Sequence, residues 1–370
     1  MQESFRVAQI AGMFDMPVTK RASRDFTFDS PPVGDDWKIG LIVGPSGSGK
    51  STIARNLFGE NLYTYGNWDH DKAVVDGFGD LPIKTITQYL IATGFSSPPS
   101  WIKPYRVLSN GEQFRCDLAR ALACGSSTVV FDEFTSVVDR SVAKVASAAI
   151  SKRIKSGDAT KRFVAVSCHY DIMEWLEPDW VLDMADGTVS RRLLRRPRID
   201  LRVFACKRSA WPMFAGHHYL SGSLSNGVKC YMALWNETPV AFCAIISLMG
   251  FVGRRRVSRI VTLPDFQGIG IGSAFLESVA DILATQDLRL NVTASHPSII
   301  SHCSNSKSWK IVNLLKTGAA KRRRGDNYKN SSGRCVVSFE YIGREAVESL
   351  NSGANYDAEK SSKKKNYRKK

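Results

Sequence analysis

Two periodicities alternate between residue 37 and about residue 190. Short apolar runs of strand length, "WKIGLIV" (37–43), "STVVF" (127–131) and "KRFVAVS" (161–167), are separated by longer stretches with helical spacing of apolar positions. Such alternation predicts a parallel sheet covered by helices. "DWVLDMADGTVS" (179–190) predicts a closing hairpin that turns at Asp186 and Gly187. The segment "RRLLRRPR" (191–198) then reads as a boundary. Beyond it the pattern changes to a helical stretch around 209–221 and two strands in "KCYMALWNETPVAFCAIISL" joined through "NETP". The strand "RVSRIVTL", a glycine-rich turn and the helix "GSAFLESVADILATQ" follow. The strand "LRLNVTAS", a helix near 297–312 and a last strand "RCVVSFEYI" complete a smaller unit. The expected fold class is α/β: a unit over 1–190, a basic linker over 191–198, a smaller mixed α/β unit over 199–343, and a basic disordered tail over 344–370.

The chain has 370 residues, enough for two such units to bury separate cores. Lysine and arginine outnumber aspartate and glutamate 51 to 35, a net charge of +16. The excess is clustered, at 191–198, in "RRR" (254–256), in "KRRR" (321–324) and in the tail, and it points to a polyanionic partner such as nucleic acid. The eight cysteines show no CxxC spacing, which fits a reducing, cytoplasmic compartment. "AFCAIISLMGFV" (241–252) is too short to span a bilayer, the N-terminus lacks a signal-peptide profile, and no membrane partner is expected.

Residues 44–52 read "GPSGSGKST". Gly44, Pro45, Ser46, Gly47, Ser48, Gly49, Lys50, Ser51 and Thr52 fit G-x-x-x-x-G-K-[ST], with a strand before and the helix "STIARNLF" behind. Glycines let backbone N–H groups curl around phosphate oxygens, Lys50 neutralises the outer phosphates, and the Ser51 hydroxyl reaches Mg²⁺. The loop predicts an ATP site. Downstream, "VVFDE" places Asp132 and Glu133 at a strand end, where the first carboxylate reaches the metal and the second polarises attacking water.

"LSNGEQFRCDLARAL" (108–122) lies between these two motifs, and with it residues 1–190 resemble the ABC ATPase family, whose signature is LSGGQ followed by a helix. The resemblance implies that Ser109 and Gly111 reach across a homodimer to the partner's γ-phosphate. Asn110 stands where the family has glycine and Glu112 where it has glutamine, a variation seen in ABC proteins that handle chromosomes and repair. "TSVVD" (135–139) matches the D-loop ending in Asp139, and His169 in "VSCHYD" the switch histidine, so Glu133 and His169 become the expected catalytic pair. Asp76 and Gln88 are poor matches for a Q-loop, which argues against transport. Phe14, Phe26 and Phe28 compete for the base-stacking position.

"QGIGIG" (267–272) fits Q/R-x-x-G-x-G/A, a pattern shared with dinucleotide fingerprints and plain strand-to-helix turns. Its setting after an antiparallel hairpin disfavours a dinucleotide fold. Residues 199–343 resemble the GNAT acyltransferase family, in which this loop holds the pyrophosphate of coenzyme A. The resemblance implies an acetyl-CoA or other acyl-CoA site at Gln267, Gly268, Ile269, Gly270, Ile271 and Gly272, with backbone groups from Val261 to Leu263 along the pantetheine arm. Acyl transfer to an amine needs a base, and "GHHYLSG" (216–222) offers His217, His218 and Tyr219. Asp265 and His296 are second-line groups, and Arg259 could meet an anionic acceptor. His296, His302 and Cys303 fit no zinc spacing. The H-Y-L-S-G element and "RVSRIV" also look like phage Mom-type enzymes. That likeness implies an acyl-CoA-derived group placed on a DNA base, adds Tyr219 and Ser221 to the site, and implies viral or prophage origin.

Three functions follow as expectations. The first is an ATP-hydrolysing acyltransferase acting on a nucleic-acid base, DNA ahead of RNA, with the ATPase unit as clamp or switch. The second is an ATP-gated acetyltransferase of a protein or small amine. The third is a DNA-associated ATPase that senses acyl-CoA without using it.

Overall fold

The computed structural model describes residues 4–14, 36–63, 65, 67–124, 126–156, 161–191, 196–218, 223–248, 250–316 and 335–343. Among these, no helix is long and apolar enough to cross a membrane. The linker residues 192–195, Phe26, Phe28, Tyr219, Ser221, the 321–324 run and the tail lie outside them.

The first unit holds five strands: β1 (Ile39–Val43), β2 (Thr128–Phe131), β3 (Arg162–Ser167), β4 (Trp180–Asp183) and β5 (Thr188–Arg191). Their order is β2-β3-β1-β4-β5. The first four run parallel, and β5 returns antiparallel after the Asp186–Gly187 turn. All five residues of β1 are buried, as a central strand covered on both faces requires. Helix α1 (Phe5–Phe14) buries nothing, and Phe14 on it is exposed. Helix α2 (Lys50–Phe58) follows the phosphate loop.

Helices α3 (Ile83–Ala92) and α4 (Pro98–Trp101) precede the long α5 (Asn110–Cys124). Val74, Phe78, Leu90, Phe95 and Trp101 fill the core between them. Buried Asp117 on α5 ties this layer together by accepting hydrogen bonds from Tyr63 (3.0 Å), Trp68 (2.8 Å) and Tyr105 (2.6 Å). Three donors satisfy a carboxylate that would otherwise be costly to bury. Helices α6 (Arg140–Ser156) and α7 (Met173–Leu176) pack on the same face of the sheet as α5, and α2 covers the opposite face.

The second unit begins with β6 (Leu201–Cys206) and α8 (Pro212–Ala215). Strands β7 (Lys229–Trp235), β8 (Thr238–Ser247) and β9 (Arg254–Thr262) lead into α9 (Ile271–Ala284). β10 (Arg289–Ala294), α10 (Pro297–Asn305), β11 (Trp309–Lys316) and β12 (Cys335–Tyr341) complete it. The sheet order is β11-β12-β10-β9-β8-β7-β6, antiparallel except for β9 and β10. That parallel pair is joined only through Arg254–Arg256 and Arg289–Asn291, so the nine-residue β9 and six-residue β10 part towards their C-terminal ends. Glycine-rich residues 267–270 leave β9 on the parted side.

Three elements differ from the sequence reading. β6 is an additional edge strand. The helical stretch expected at 209–221 is, among the described residues, a single turn at Arg208–Ala210 followed by α8. The helix expected to reach 312 ends at Asn305, and "WKIVNLLK" forms the edge strand β11. An apolar run of that length has no period that separates strand from helix, and the pairing with β12 decides it.

The two units share one apolar cluster. Val145, Ala148 and Ala149 of α6 and Trp175 of α7 pack with Tyr231, Ala233, Ile269, Ile271 and Phe275. Trp175 and Trp235 meet edge to face at 5.6 Å. Arg196 reaches Glu177 at 3.1 Å, so part of the basic linker is used in docking. At the centre, a Cβ added to Gly94 would lie 2.8 Å from the Gln267 carbonyl oxygen, and one added to Gly268 would lie 3.0 Å from the Gly94 Cα. Both glycines have positive φ, +84° and +92°. Gly94→Ala is therefore expected to lower the unfolding free energy by about 2 kcal/mol, through strain and loss of close approach. Denaturant unfolding checks this, with Gly216→Ala, where nothing lies within 4 Å, as the neutral control.

Candidate functional site

The two glycine loops reach the same local geometry. Gly49 caps α2 at φ 88°, ψ 11°, and Gly270 caps α9 at φ 98°, ψ 3°. A residue with a side chain resists this left-handed conformation, which turns the chain so that successive N–H groups face one point at a helix N-terminus. No side chain caps either helix, leaving those N–H groups for a ligand.

In the first loop, Pro45, Ser46 and Gly47 are exposed while Gly44 and Ser48 are buried. The Lys50 ammonium donates to the carbonyls of Gly44 (2.9 Å) and Pro45 (2.7 Å), folded over its own loop. Ser51 Oγ donates to Asp132 Oδ1 at 3.0 Å, and Thr52 is exposed on the next position of α2. A hydroxyl and one carboxylate are the hard oxygen donors that Mg²⁺ takes alongside phosphates. Glu133 follows in a positive-φ turn (50°) and accepts from Ser136 Oγ at 2.7 Å. His169 stands across from it, with Nδ1 3.4 Å from Thr135 Oγ1 and its backbone N–H donating to Ser167 Oγ. Burial and then Arg140 hold its pKa below the usual histidine value. Asp139 is exposed beside Arg140, which pairs with Asp171.

Ser109 and Glu112 form a reciprocal capping box at the start of α5. Glu112 Oε2 accepts from the Ser109 N–H at 3.0 Å, and Ser109 Oγ accepts from the Glu112 N–H at 3.3 Å. Glutamate thus does local work where the sequence resemblance leads one to expect glutamine, and its other oxygen accepts from Ser100 Oγ at 2.9 Å. Gly111 lies in the first turn, beside the Arg115 guanidinium. Asp76 sits in a 3₁₀ turn and Gln88 within α3.

In the second loop, a Cβ on Gly272 would lie 2.8 Å from Thr262 Oγ1, so glycine lets α9 approach β9. Ile269 and Ile271 point into the shared core. The Gln267 side chain is fully engaged: its Oε1 accepts from the Ser96 N–H of the first unit at 3.0 Å, and its Nε2 donates to the Thr262 carbonyl at 2.8 Å. The remaining loop N–H groups and the parted strands β9 and β10, with Val261 and Leu263 along one edge, fit a phosphate with a thioester arm behind it.

The acidic and histidine candidates are divided by this arrangement. His218 is largely buried near Arg259 and stands edge-on to Trp211, with ring centroids 5.9 Å apart. Burial first, and Arg259 second, push its pKa down to about 4. It is a neutral proton acceptor at pH 7 but weaker than an ordinary histidine. His217 is exposed, and Arg259 donates to the Ser258 and Ser223 carbonyls. Asp265 and His296 instead face the first unit. Asp265 lies 3.7 Å from Arg115, while His296 donates from Nε2 to the Ser96 carbonyl (3.1 Å) and caps α10 through Nδ1. Those bonds engage both His296 nitrogens. Among the described residues no cluster of three metal-ligating side chains occurs.

Residues 193–300 match the Acetyltransferase (GNAT) family. No curated protein sequence matches the chain. Among solved structures, a bacterial Atm1-family ABC exporter with ATP bound aligns at TM-score 0.35 and 18% identity, over 42% of this chain and 33% of that one. The chain thus spans a third of that exporter's length. A dimeric bacterial ABC transporter cassette aligns at TM-score 0.35 and 19% identity, over 43% of this chain and 86% of that one. An IAA acetyltransferase from Bacillus cereus aligns at TM-score 0.30 and 13% identity, over 38% and 99%. The fold class is α/β: a first unit that carries the 44–52 phosphate-loop motif, followed by a smaller mixed unit that contains the GNAT match.

Ser96, Arg115 and Lys152 approach the second loop from the first unit, and no motif marks them in the sequence. Arg115 within the apolar positions of "FRCDLARAL" was the one legible sign. Because the folded chain holds His218 near pKa 4 and the unfolded chain near 6.5, the unfolded state takes up the extra proton between those values. Stability is therefore expected to fall as pH drops through that window. His218→Gln should show a smaller decline between about pH 7 and about pH 5, read by denaturant unfolding.

Proposed function

We propose that the chain is an acyl-CoA-dependent N-acyltransferase that carries its own ATP-hydrolysing unit, and that its acceptor is an amine on a nucleic-acid base. The observation that carries the acyltransferase reading is the uncapped "QGIGIG" turn at the point where β9 and β10 part, within the stretch that matches the GNAT family. Gly268, Gly270 and the first turn of α9 would hold the phosphates, and Val261 to Leu263 would line the arm. The thioester supplies an activated acyl carbon. The acceptor nitrogen bonds to that carbon as the C–S bond breaks, the amine proton passes to a base, and the thiolate takes up a proton. His218, neutral and close to Arg259, is the described group best placed to accept that proton, while Arg259 suits an anionic acceptor.

For the ATPase unit, Lys50 would meet the outer phosphates, Ser51 and Asp132 would hold Mg²⁺, and Glu133 would polarise the attacking water. The exposed N-terminus of α5 supports a head-to-tail dimer in which Ser109 completes the partner's site. The polyanion reading rests on the +16 net charge. It is tempered by Arg191, Arg196, Arg198 and Arg254, which already pair with Asp36, Glu177, Asp200 and Glu340.

Lys50→Ala is expected to lose at least a hundredfold in ATP turnover, and Glu133→Gln to retain ATP binding with turnover reduced as far, assayed by phosphate release. A fully active Glu133→Gln would remove that residue from the mechanism. For the acceptor, nucleosides from digested DNA and RNA of cells making the intact protein or its Gly270→Trp variant should differ by one mass-shifted species, present only with the intact protein. Its absence, with acyl-CoA still bound by the purified protein, would move the acceptor to a protein or small amine.

A further inference from the structure

Positive charge from the first unit collects around the second loop, at Lys152 and at Arg115. Lys152 follows Ala149 by three residues and therefore lies on the same face of α6. Ala149 is packed against the loop, its Cβ 3.1 Å from where a Cβ on Gly268 would stand. One turn on, the Lys152 ammonium lies 3.8 Å from where a Cβ on Gly270 would stand. Its neighbours are used elsewhere: Arg153 lies over the Tyr89 ring at 4.9 Å, and Lys155 donates to the Glu177 carbonyl at 2.8 Å. No ion pair among the described residues involves Lys152, which is exposed.

This is the wrong end of a helix for a cation. The N-terminus of α9 carries partial positive charge, and its uncapped N–H groups repel an ammonium held there. Arg115 adds a second charge beneath the same loop. Its side chain is 1% exposed; among the described residues its Nε and Nη2 have no hydrogen-bond partner and its ion pair, to Asp265, is long at 3.7 Å. Asp265 thus faces a helix N-terminus and two cations, of which Arg115 also feels Glu112 on its own helix while Lys152 has no ion pair among the described residues. A multiply charged anion between Lys152 and the loop resolves the imbalance, and a diphosphate has the charge and size to do so.

We propose that Lys152 of the ATPase-like unit is a ligand of the coenzyme's phosphates, so that the acyl-CoA site is built from both units. The proposal rests on the acyl-CoA reading of the loop and extends it. Arg115 is a positioning residue that supports the loop from behind through Asp265 and adds to the local field.

The test is calorimetric titration of the full chain and its Lys152→Ala, Lys152→Arg and Lys152→Glu variants with coenzyme A, and separately with pantetheine, which has no diphosphate. Lys152→Ala should bind coenzyme A about tenfold more weakly. Lys152→Glu should lose more, Lys152→Arg should stay close to wild type, and pantetheine should bind all four chains alike. If wild type binds coenzyme A and Lys152→Ala binds it equally well, the proposal fails and the loop reading stands. If wild type does not bind coenzyme A, both fail. An equal loss towards pantetheine would show a structural effect and also overturn the proposal.

Discussion

The structure turns on the Gln267 carboxamide, which joins the Ser96 N–H of one unit to the Thr262 carbonyl of the other. One side chain thereby fixes the end of β9, the start of the glycine loop and the segment between α3 and α4. The bridge is short because Gly94 and Gly268 allow their backbones to touch. Around it lie an apolar seal from α6, α7 and the second sheet, and the Arg115–Asp265 and Arg196–Glu177 pairs. Most of the binding free energy belongs to the apolar contact, whereas the polar groups set register. A loop proposed to hold coenzyme is thus also where the two units meet most closely.

That arrangement gives the first unit a physical route to the second loop. Ser109, Glu112 and Arg115 fall at successive three-residue steps along α5, from the capping box at its exposed end to the buried guanidinium under the loop. A movement of α5 is passed towards Asp265, since Arg115 is enclosed and among the described residues its ion pair is with Asp265. Coupling between sites requires two states that both sites bias, and α5 is the contiguous path along which it would pass.

Much of the fold was legible. The 37–43, 127–131 and 161–167 runs form β1, β2 and β3, with residues 44–49 between β1 and α2 and Asp132 and Glu133 just after β2, because each run is specified by local chemistry. The "NETP" hairpin turns at Asn236 and Glu237, with φ 47° and 62°. The β11 strand was not legible, since pairing with a partner distant in sequence decides it. Nor was the docking. Gln267 reads as part of a ligand motif and His296 as a second-line group, yet each meets the other unit, as does Gly94, which no motif marks. Contacts between units leave no period in either sequence. The second loop is therefore identifiable from its glycines, while the residues that complete it are not.

Amide hydrogen exchange on the full chain, with and without acetyl-CoA, tests most directly the claim that the coenzyme loop is shared. The account predicts slowed exchange at residues 268–272 and, with it, at Ser96, whose N–H is held by Gln267. Protection of the loop with no change at Ser96 would contradict the shared loop, and protection confined to other segments would contradict the coenzyme site itself.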